Sequence, residues 1–470
     1  MLAEVQEARW MISRRSALKA LTAVTLGGGY FFLGTAAPVA AAPIIGGELR
    51  GAIDASQHGV TPNGGTRESR KLADLIARAA RQNMPVFLPP GSYPVSNLNL
   101  PDGARITGIA GASRLVHAGG DYLLRADGAR RIELSNFVID GADRALGGET
   151  PALLHTRGVS NLMIDNCEIT GSRKTGMHLE RTGGRIERSR ITGAADYGIY
   201  AVDSSGLSVT ANSVDDCANG GILIHRLTKG NDGTIVSGNR ITRIGATNGG
   251  TGQYGNAINL FRADNVLVSG NHISQSAFSA IRANSASNVQ IVNNQCLGSG
   301  ETAIYAEFSF EGAMIAGNIV DGAANGISVV NFNEGGRLAT VSNNIVRNLR
   351  LVGPYVLDEA IFGVGISVEA DTVVSGNVVE NAPFWGLALG FGPFLRNVSV
   401  TGNVVRQAGT GCAVTVAEGA GNALIANNLF QAIERGAIIG YRWRAAATGE
   451  LVSGDDHGFS HLTIRNNSVS

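Results

Sequence analysis

One hexapeptide recurs through most of this chain, and its repetition limits the folds available more than any other feature. Val236-Ser237-Gly238-Asn239-Arg240-Ile241 returns as Val268-Ser269-Gly270-Asn271-His272-Ile273, Val374-Ser375-Gly376-Asn377-Val378-Val379 and Val400-Thr401-Gly402-Asn403-Val404-Val405. Looser copies begin at Leu134, Ile164, Ile186, Val209, Ile291, Ile315, Val341, Ile425 and Ile464. The shared frame is apolar-x-x-polar-x-apolar, with Phe137 in the polar place of the first copy. A period in the twenties sustained this far implies stacked coils, each burying its apolar face against its neighbours.

Two apolar residues on either side of a tight bend predict short strands whose side chains alternate in and out. Asn tolerates the left-handed backbone of a sharp corner, and its amide both donates and accepts. Asn212, Asn239, Asn271, Asn294, Asn318, Asn344, Asn377, Asn403, Asn428 and Asn467 share one place in the frame. This predicts a structural, inward-facing ladder of amide hydrogen bonds, broken at its early end by Phe137, Cys167 and Ser189. About a dozen residues later a second strand opens with a small residue before an apolar one, as in Gly198-Ile199, Gly221-Ile222, Ala280-Ile281 and Gly326-Ile327. The Leu-x-x-Leu-x-Leu frame of leucine-rich repeats is missing. With 64 Gly and many Val, Ile, Thr and Asn, helical repeats are excluded as well. The pattern predicts an all-β fold, a single-stranded parallel β-helix of about 12–13 coils.

The beginning of the chain carries a different signal. Ser13-Arg14-Arg15-Ser16-Ala17-Leu18-Lys19 precedes a weakly hydrophobic, Gly-interrupted run ending in Ala40-Ala41-Ala42. This resembles a twin-arginine export signal over residues 1–42, with Met1 or Met11 as the start. It implies the twin-arginine translocase as a partner, a periplasmic or secreted location, and no membrane span once the signal is cleaved. Charge is balanced at 38 basic and 38 acidic residues, which argues against nucleic acid as a partner. Cys167, Cys217, Cys296 and Cys412 lie in separate coils without metal-ligand spacing and read as buried thiols.

Residues 43–103 form a cap ahead of the repeat domain, 104–470. Thr61-Pro62-Asn63-Gly64 is a turn, and Leu72 to Ala80 has helical periodicity. Val86-Phe87-Leu88-Pro89-Pro90-Gly91-Ser92-Tyr93-Pro94-Val95 reads as strand, turn, strand. The helix would cover the open end of the stack. This cap is similar to that of the pectate-lyase-like superfamily, which implies a right-handed β-helix. With the export signal and the Asn repeats, the whole chain resembles a family of twin-arginine-exported β-helix repeat proteins. That fold carries lyases, hydrolases, epimerases and binding proteins, so the activity must be read from the site.

Alternation along the second strand places one column of side chains outward: His178, Tyr200, Leu223, Asn259, Arg282, Tyr305, Ser328 and Ser367. A neighbouring column holds Glu180, Val202, His225, Phe261, Asn284, Glu307, Val330 and Glu369, with Arg226 and Arg262 just beyond. Two insertions fall beside this face. One runs from Gly245 to Gly255, and the other carries Tyr355, Asp358, Glu359 and Phe362. Lyases and epimerases of uronic acids need a base for the C5 proton, a cation against the carboxylate and an acid for the leaving group. His225 and Tyr200 have the chemistry for proton transfer. Arg226, Asn259, Arg262, Arg282, Tyr305 and Glu307 have the chemistry for holding a sugar, Arg226 or Arg262 by a bidentate grip on a carboxylate.

Hydrolysis would draw on Asp196, Asp203, Asp215, Asp216 or Glu307. Of the polygalacturonase blocks, only an Asp-Asp pair, Asp215-Asp216, is present, and the blocks of plant-type pectate lyases are missing. Calcium is the one cofactor such enzymes suggest, and the chain has no motif for it. Two readings result: a lyase or epimerase on an acidic polysaccharide, or a non-catalytic envelope protein that binds glycan along its ridge.

Overall fold

The computed structural model describes residues 51–65, 68–250, 252–356, 361–452 and 458–470. The export signal, and Asp358 and Glu359 in the second insertion, lie outside these residues. The described residues all belong to one compact unit. Among the described residues no helix is long and apolar enough to cross a membrane.

Each full coil contributes three short strands. In one coil these are Ile235–Ser237, Arg240–Ile244 and Asn256–Asp264, and they stack on the next coil's Leu267–Ser269, His272–Ser276 and Ile281–Asn284. Among the described residues the first sheet contains sixteen parallel strands, from Ile53–Asp54 to Leu462–Arg465. Thirteen of them are the hexapeptide units. The other three, Ile53–Asp54, Val86–Phe87 and Arg105–Thr107, carry the same sheet back through the cap. The second and third sheets merge near the end of the chain, where Val378–Leu389 and Val404–Thr415 run round the corner unbroken. An antiparallel pair of strands, Ile438–Arg442 with Ala445–Glu450, follows the last of these coils.

The core is one continuous apolar column. Ile199, Ile222, Ile258, Ile281, Ile304, Ile327 and Ile366 stand in register through successive coils, and each is at most 1% exposed. The small residue ahead of each has a steric cause, since a Cβ at Gly176 would lie 2.7 Å from the Gly198 carbonyl oxygen of the next coil. The helix Glu68–Arg81 buries Leu72, Leu75, Ile76 and Ala79 along one face, as i, i+3, i+4, i+7 spacing dictates. All four cysteines are buried and free, and burial pushes the thiols of Cys167, Cys217 and Cys296 up to about 12.

The corner between the first and second sheets holds the ladder. Asn294 Nδ2 donates to Asn318 Oδ1 at 3.0 Å and to the Val268 carbonyl at 3.1 Å, while Asn318 Oδ1 also accepts the Asn294 backbone N–H at 2.9 Å. The same pattern runs through Asn212, Asn239, Asn271, Asn344, Asn377, Asn403 and Asn428 to Asn467. Two expectations need correction. The left-handed residue of the turn is the one before the ladder Asn (Gly238, Gly270, Asn293, Gly317 and their counterparts), because the ladder amide points inward only if the bend is completed ahead of it. Ser189 does not break the ladder either. Its N–H donates to Asn212 Oδ1 at 2.9 Å, and its hydroxyl accepts the Cys167 N–H at 3.1 Å.

Candidate functional site

The outward face of the third sheet is built by register. His155, His178, Tyr200, Leu223, Asn259, Arg282, Tyr305, Ser328 and Ser367 pair one to the next across nine coils. Beside them Glu180, Val202, His225, Phe261, Asn284 and Glu307 do the same. Facing outward does not make this column exposed: Leu223 is wholly buried, and Asn259 is 3% exposed.

The insertions cause this burial. In the first, Tyr254 stacks on Tyr197 with ring centroids 6.3 Å apart, and the Gly252 carbonyl accepts from Asn259 Nδ2 at 3.1 Å. In the second, the Tyr355 ring stacks on Phe278 at 6.1 Å, and its hydroxyl donates to Glu301. Gly250 of the first loop packs on the same Phe278 ring, so one aromatic residue supports both loops.

Three concavities lie along this face. The lowest, of about 430 Å³, is lined by Arg173, Lys174, His178, Asp196, Tyr197 and Tyr200. The middle one, of about 450 Å³, shares both tyrosines and adds His225, Gln253, Asn259, Phe261 and Asn284. The highest, of about 340 Å³, lies beyond Tyr305 and includes Ser328, Ser367, Glu369, Trp385 and Phe391.

The middle concavity brings together Tyr200, His225 and Asn259. The Tyr200 and His225 rings meet edge to face at 5.2 Å, continuing a chain of rings from His155 through His178. Burial lowers the His225 imidazole to about 4, so it is neutral at pH 7, and its buried Nε2 has no hydrogen-bond partner. His178 is lowered to about 4 by burial and by His155 beside it. Burial raises the Tyr200 phenol, keeping it protonated, and raises the Asp196 carboxyl.

The remaining sequence-predicted residues are placed elsewhere. Arg282 does not face a ligand. Its Nε and Nη2 grip Glu307 at 2.6 and 3.1 Å, its Nη1 is 3.6 Å from Glu301, and it lies over the Tyr305 ring at 5.1 Å. The single Arg282 guanidinium offsets the charge of these two buried carboxylates in part, as desolvation demands, and the cluster stands between the middle concavity and the highest. Burial raises the Glu307 carboxyl, against the pull of Arg282. Tyr305 lines the highest concavity and not the one that holds His225. Arg226 and Arg262 turn away round the corner, donating to the carbonyls of Ser204 at 3.0 Å and Leu227 at 2.9 Å. Asp215 and Asp216 are taken up by Arg243.

Sequence reasoning missed Arg173, Tyr197, Gln253 and Trp385, all of which lie outside the outward columns of the repeat. Arg173 is exposed and has no ionic partner among the described residues, whereas Lys174 is spent on three carbonyls at 2.7–2.9 Å. Among the described residues no group of three or more His, Cys, Asp or Glu converges to hold a metal ion.

Comparison with known proteins adds the fold's kinship. Residues 122–253 and 227–430 match the family described as right handed beta helix region. No curated protein matches the chain by sequence. Among solved structures, the pre-mature gene product 12 of bacteriophage phi29 superposes with a TM-score of 0.51 at 15% identity, over 83% of this chain and 55% of that one. The A-module of the mannuronan C-5 epimerase of Azotobacter vinelandii gives 0.42 at 15% identity, over 77% and 97%. The hyperthermoactive exopolygalacturonase of Thermotoga maritima gives 0.41 at 10% identity, over 89% and 91%. This chain spans 65% and 55% of the lengths of the two phi29 gene product 12 structures. At such identities the likeness extends to the fold alone.

Proposed function

The chain belongs to the right-handed β-helix family, and from that premise we propose that it is an exported polysaccharide lyase whose acidic substrate lies along the outer face of the third sheet. The observation that carries this reading is the middle concavity, where a neutral His225 with an unpaired Nε2 adjoins a protonated Tyr200. The adjoining lower concavity supplies the cation: Arg173 is free to pair with a uronate carboxylate.

The chemistry follows from these positions. With one uronate anchored by its carboxylate at Arg173 in the lower concavity, His225 takes the C5 proton of a neighbouring uronate in the middle concavity, that sugar's C4–O bond breaks as its C4–C5 double bond forms, and Tyr200 protonates the departing oxygen. Both groups stand on the same wall of the concavity. Same-face transfer suits elimination, whereas epimerisation needs proton donors on opposite faces of the ring. Asn259 and Gln253 hold hydroxyls, and Phe261 packs against the ring. The test is to incubate the mature protein with a panel of acidic polysaccharides and follow unsaturated products by ultraviolet absorbance.

A second reading, glycan binding without chemistry, is favoured by the capture of Arg282 by Glu301 and Glu307, which leaves the middle concavity without a cation of its own. It predicts saturable binding and no product. In both readings the chain leaves the cytoplasm by the twin-arginine route, so replacing Arg14 and Arg15 together by Lys strands it inside. Undiminished appearance outside the cytoplasm would refute the route.

A further inference from the structure

The highest concavity differs in chemistry from the other two. A small apolar cluster on the outside of the third sheet, including Val364, Trp385 and Ala388, forms its floor. Ser367 donates to Ser328 across adjacent coils at 2.9 Å, which leaves a Ser328 hydroxyl hydrogen available at the rim. Among the described residues Glu369 is the only charged side chain lining it, and no Lys or Arg does. The Glu369 carboxylate is held in place by the Phe332 N–H at 2.6 Å. Trp385 is 4% exposed, and its buried indole N–H has no partner. A buried donor without an acceptor is costly unless a ligand supplies one.

We propose that this concavity, between Glu369 and Trp385, is a second sugar-binding site that takes an uncharged hexopyranose ring. The inference rests on the glycan reading above only in taking a sugar as the ligand. A pyranose has an apolar face for the floor of Val364, Trp385 and Ala388, and hydroxyls for Ser328, Glu369 and the indole N–H. A uronate is disfavoured, because its carboxylate would meet Glu369 with no cation among the described lining residues to offset the repulsion. Burial raises the Glu369 carboxyl to about 7. Above that pH the ionised carboxylate accepts from a sugar hydroxyl and repels a uronate. His225 and Glu369 lie five coils apart, about 24 Å at the usual spacing between strands. The substrate implied is therefore a heteroglycan in which neutral units accompany acidic ones.

Saturation-transfer NMR on the full mature chain tests this, with the methyl glycosides of glucose, galactose and mannose as probes and methyl glucuronide as the charged counterpart. The expected result is transfer to at least one neutral glycoside, with glucuronide about tenfold weaker, and a similar loss on Glu369→Ala, the size of one hydrogen bond to a charged acceptor. Ser328→Ala, which removes only the hydroxyl, serves if Glu369→Ala unfolds, and thermal midpoints verify folding. Glucuronide binding as strong as the neutral glycosides, no transfer to any neutral glycoside, or wild-type transfer in both variants would overturn the proposal. The two sites fail separately. An absent elimination product leaves a neutral-glycoside signal standing, and an absent signal leaves the elimination reading intact.

Discussion

The Asn corner and the third-sheet face are made of the same kinds of polar side chain, stacked at the same spacing, and they differ in how completely their hydrogen bonds are used. At the corner every ladder amide from Asn212 to Asn428 donates to the next Asn and to a carbonyl of the coil before. On the face, His225 Nε2, Trp385 Nε1, Asp196 Oδ1 and Arg282 Nη1 are buried without hydrogen-bond partners. A saturated column can only hold the stack together. An unsaturated one retains bonding capacity that a ligand can use, and that contrast separates scaffold from site in this molecule.

The comparison can be broken by substitution, beginning where the effect is largest. Arg282→Met leaves Glu301 and Glu307 buried with their counter-charge gone, and urea unfolding should show a loss of about 3–5 kcal/mol. Part of that loss should return at acidic pH, where Glu307 is protonated. Asn318→Ala strands the Asn294 amide and the Ile291 carbonyl, and should cost about 3 kcal/mol by the same measurement while leaving sugar binding by the folded protein unchanged. An Asn318→Ala protein of wild-type stability but altered binding would reverse the assignment of scaffold and site.

The face also predicts two opposed pH slopes. The His225 imidazole is at about 4 when folded against an ordinary 6.5, so its contribution to stability is present above 6.5 and is lost as pH falls toward 4. His225→Phe should flatten part of that acid-side decline, to which His178, His155 and His117, also lowered by burial, contribute. The Glu369 carboxyl is at about 7 against 4.5, so stability should fall as pH rises from 4.5 through 7, and Glu369→Gln should remove that decline. Thermal midpoints across pH check both signs. The smallest stability effect is that of Arg173→Ala, an exposed side chain, at about 0.5 kcal/mol or less. Its binding effect should instead be specific, weakening acidic sugars while sparing neutral ones.

What was legible in the sequence follows the same division. The ladder could be read because each coil repeats one inward turn residue, and the outward columns because a Gly-Ile or Ala-Ile pair fixes register in every coil. Tyr200, His225 and Asn259 were placed on one face by that alternation alone. What failed to show was anything decided between coils or outside the frame. Glu301, which helps to capture Arg282, sits in a turn ahead of its strand. Leu223 points outward yet is buried beneath the first insertion. Trp385 follows a register shift after Ala382, so the simple alternation that named Ser328 and Ser367 misses it. The left-handed turn position escaped because Gly, Asn, Ala and Arg all occupy it, leaving no single residue type to mark it.

The most direct test is the rate of unsaturated product formation by His225→Ala, measured beside the wild type on whichever acidic polysaccharide the wild type cleaves. The account predicts a fall of about 100-fold or more, the usual share of a positioned proton-transfer group, with the thermal midpoint at neutral pH near that of the wild type. Undiminished turnover by His225→Ala would contradict it.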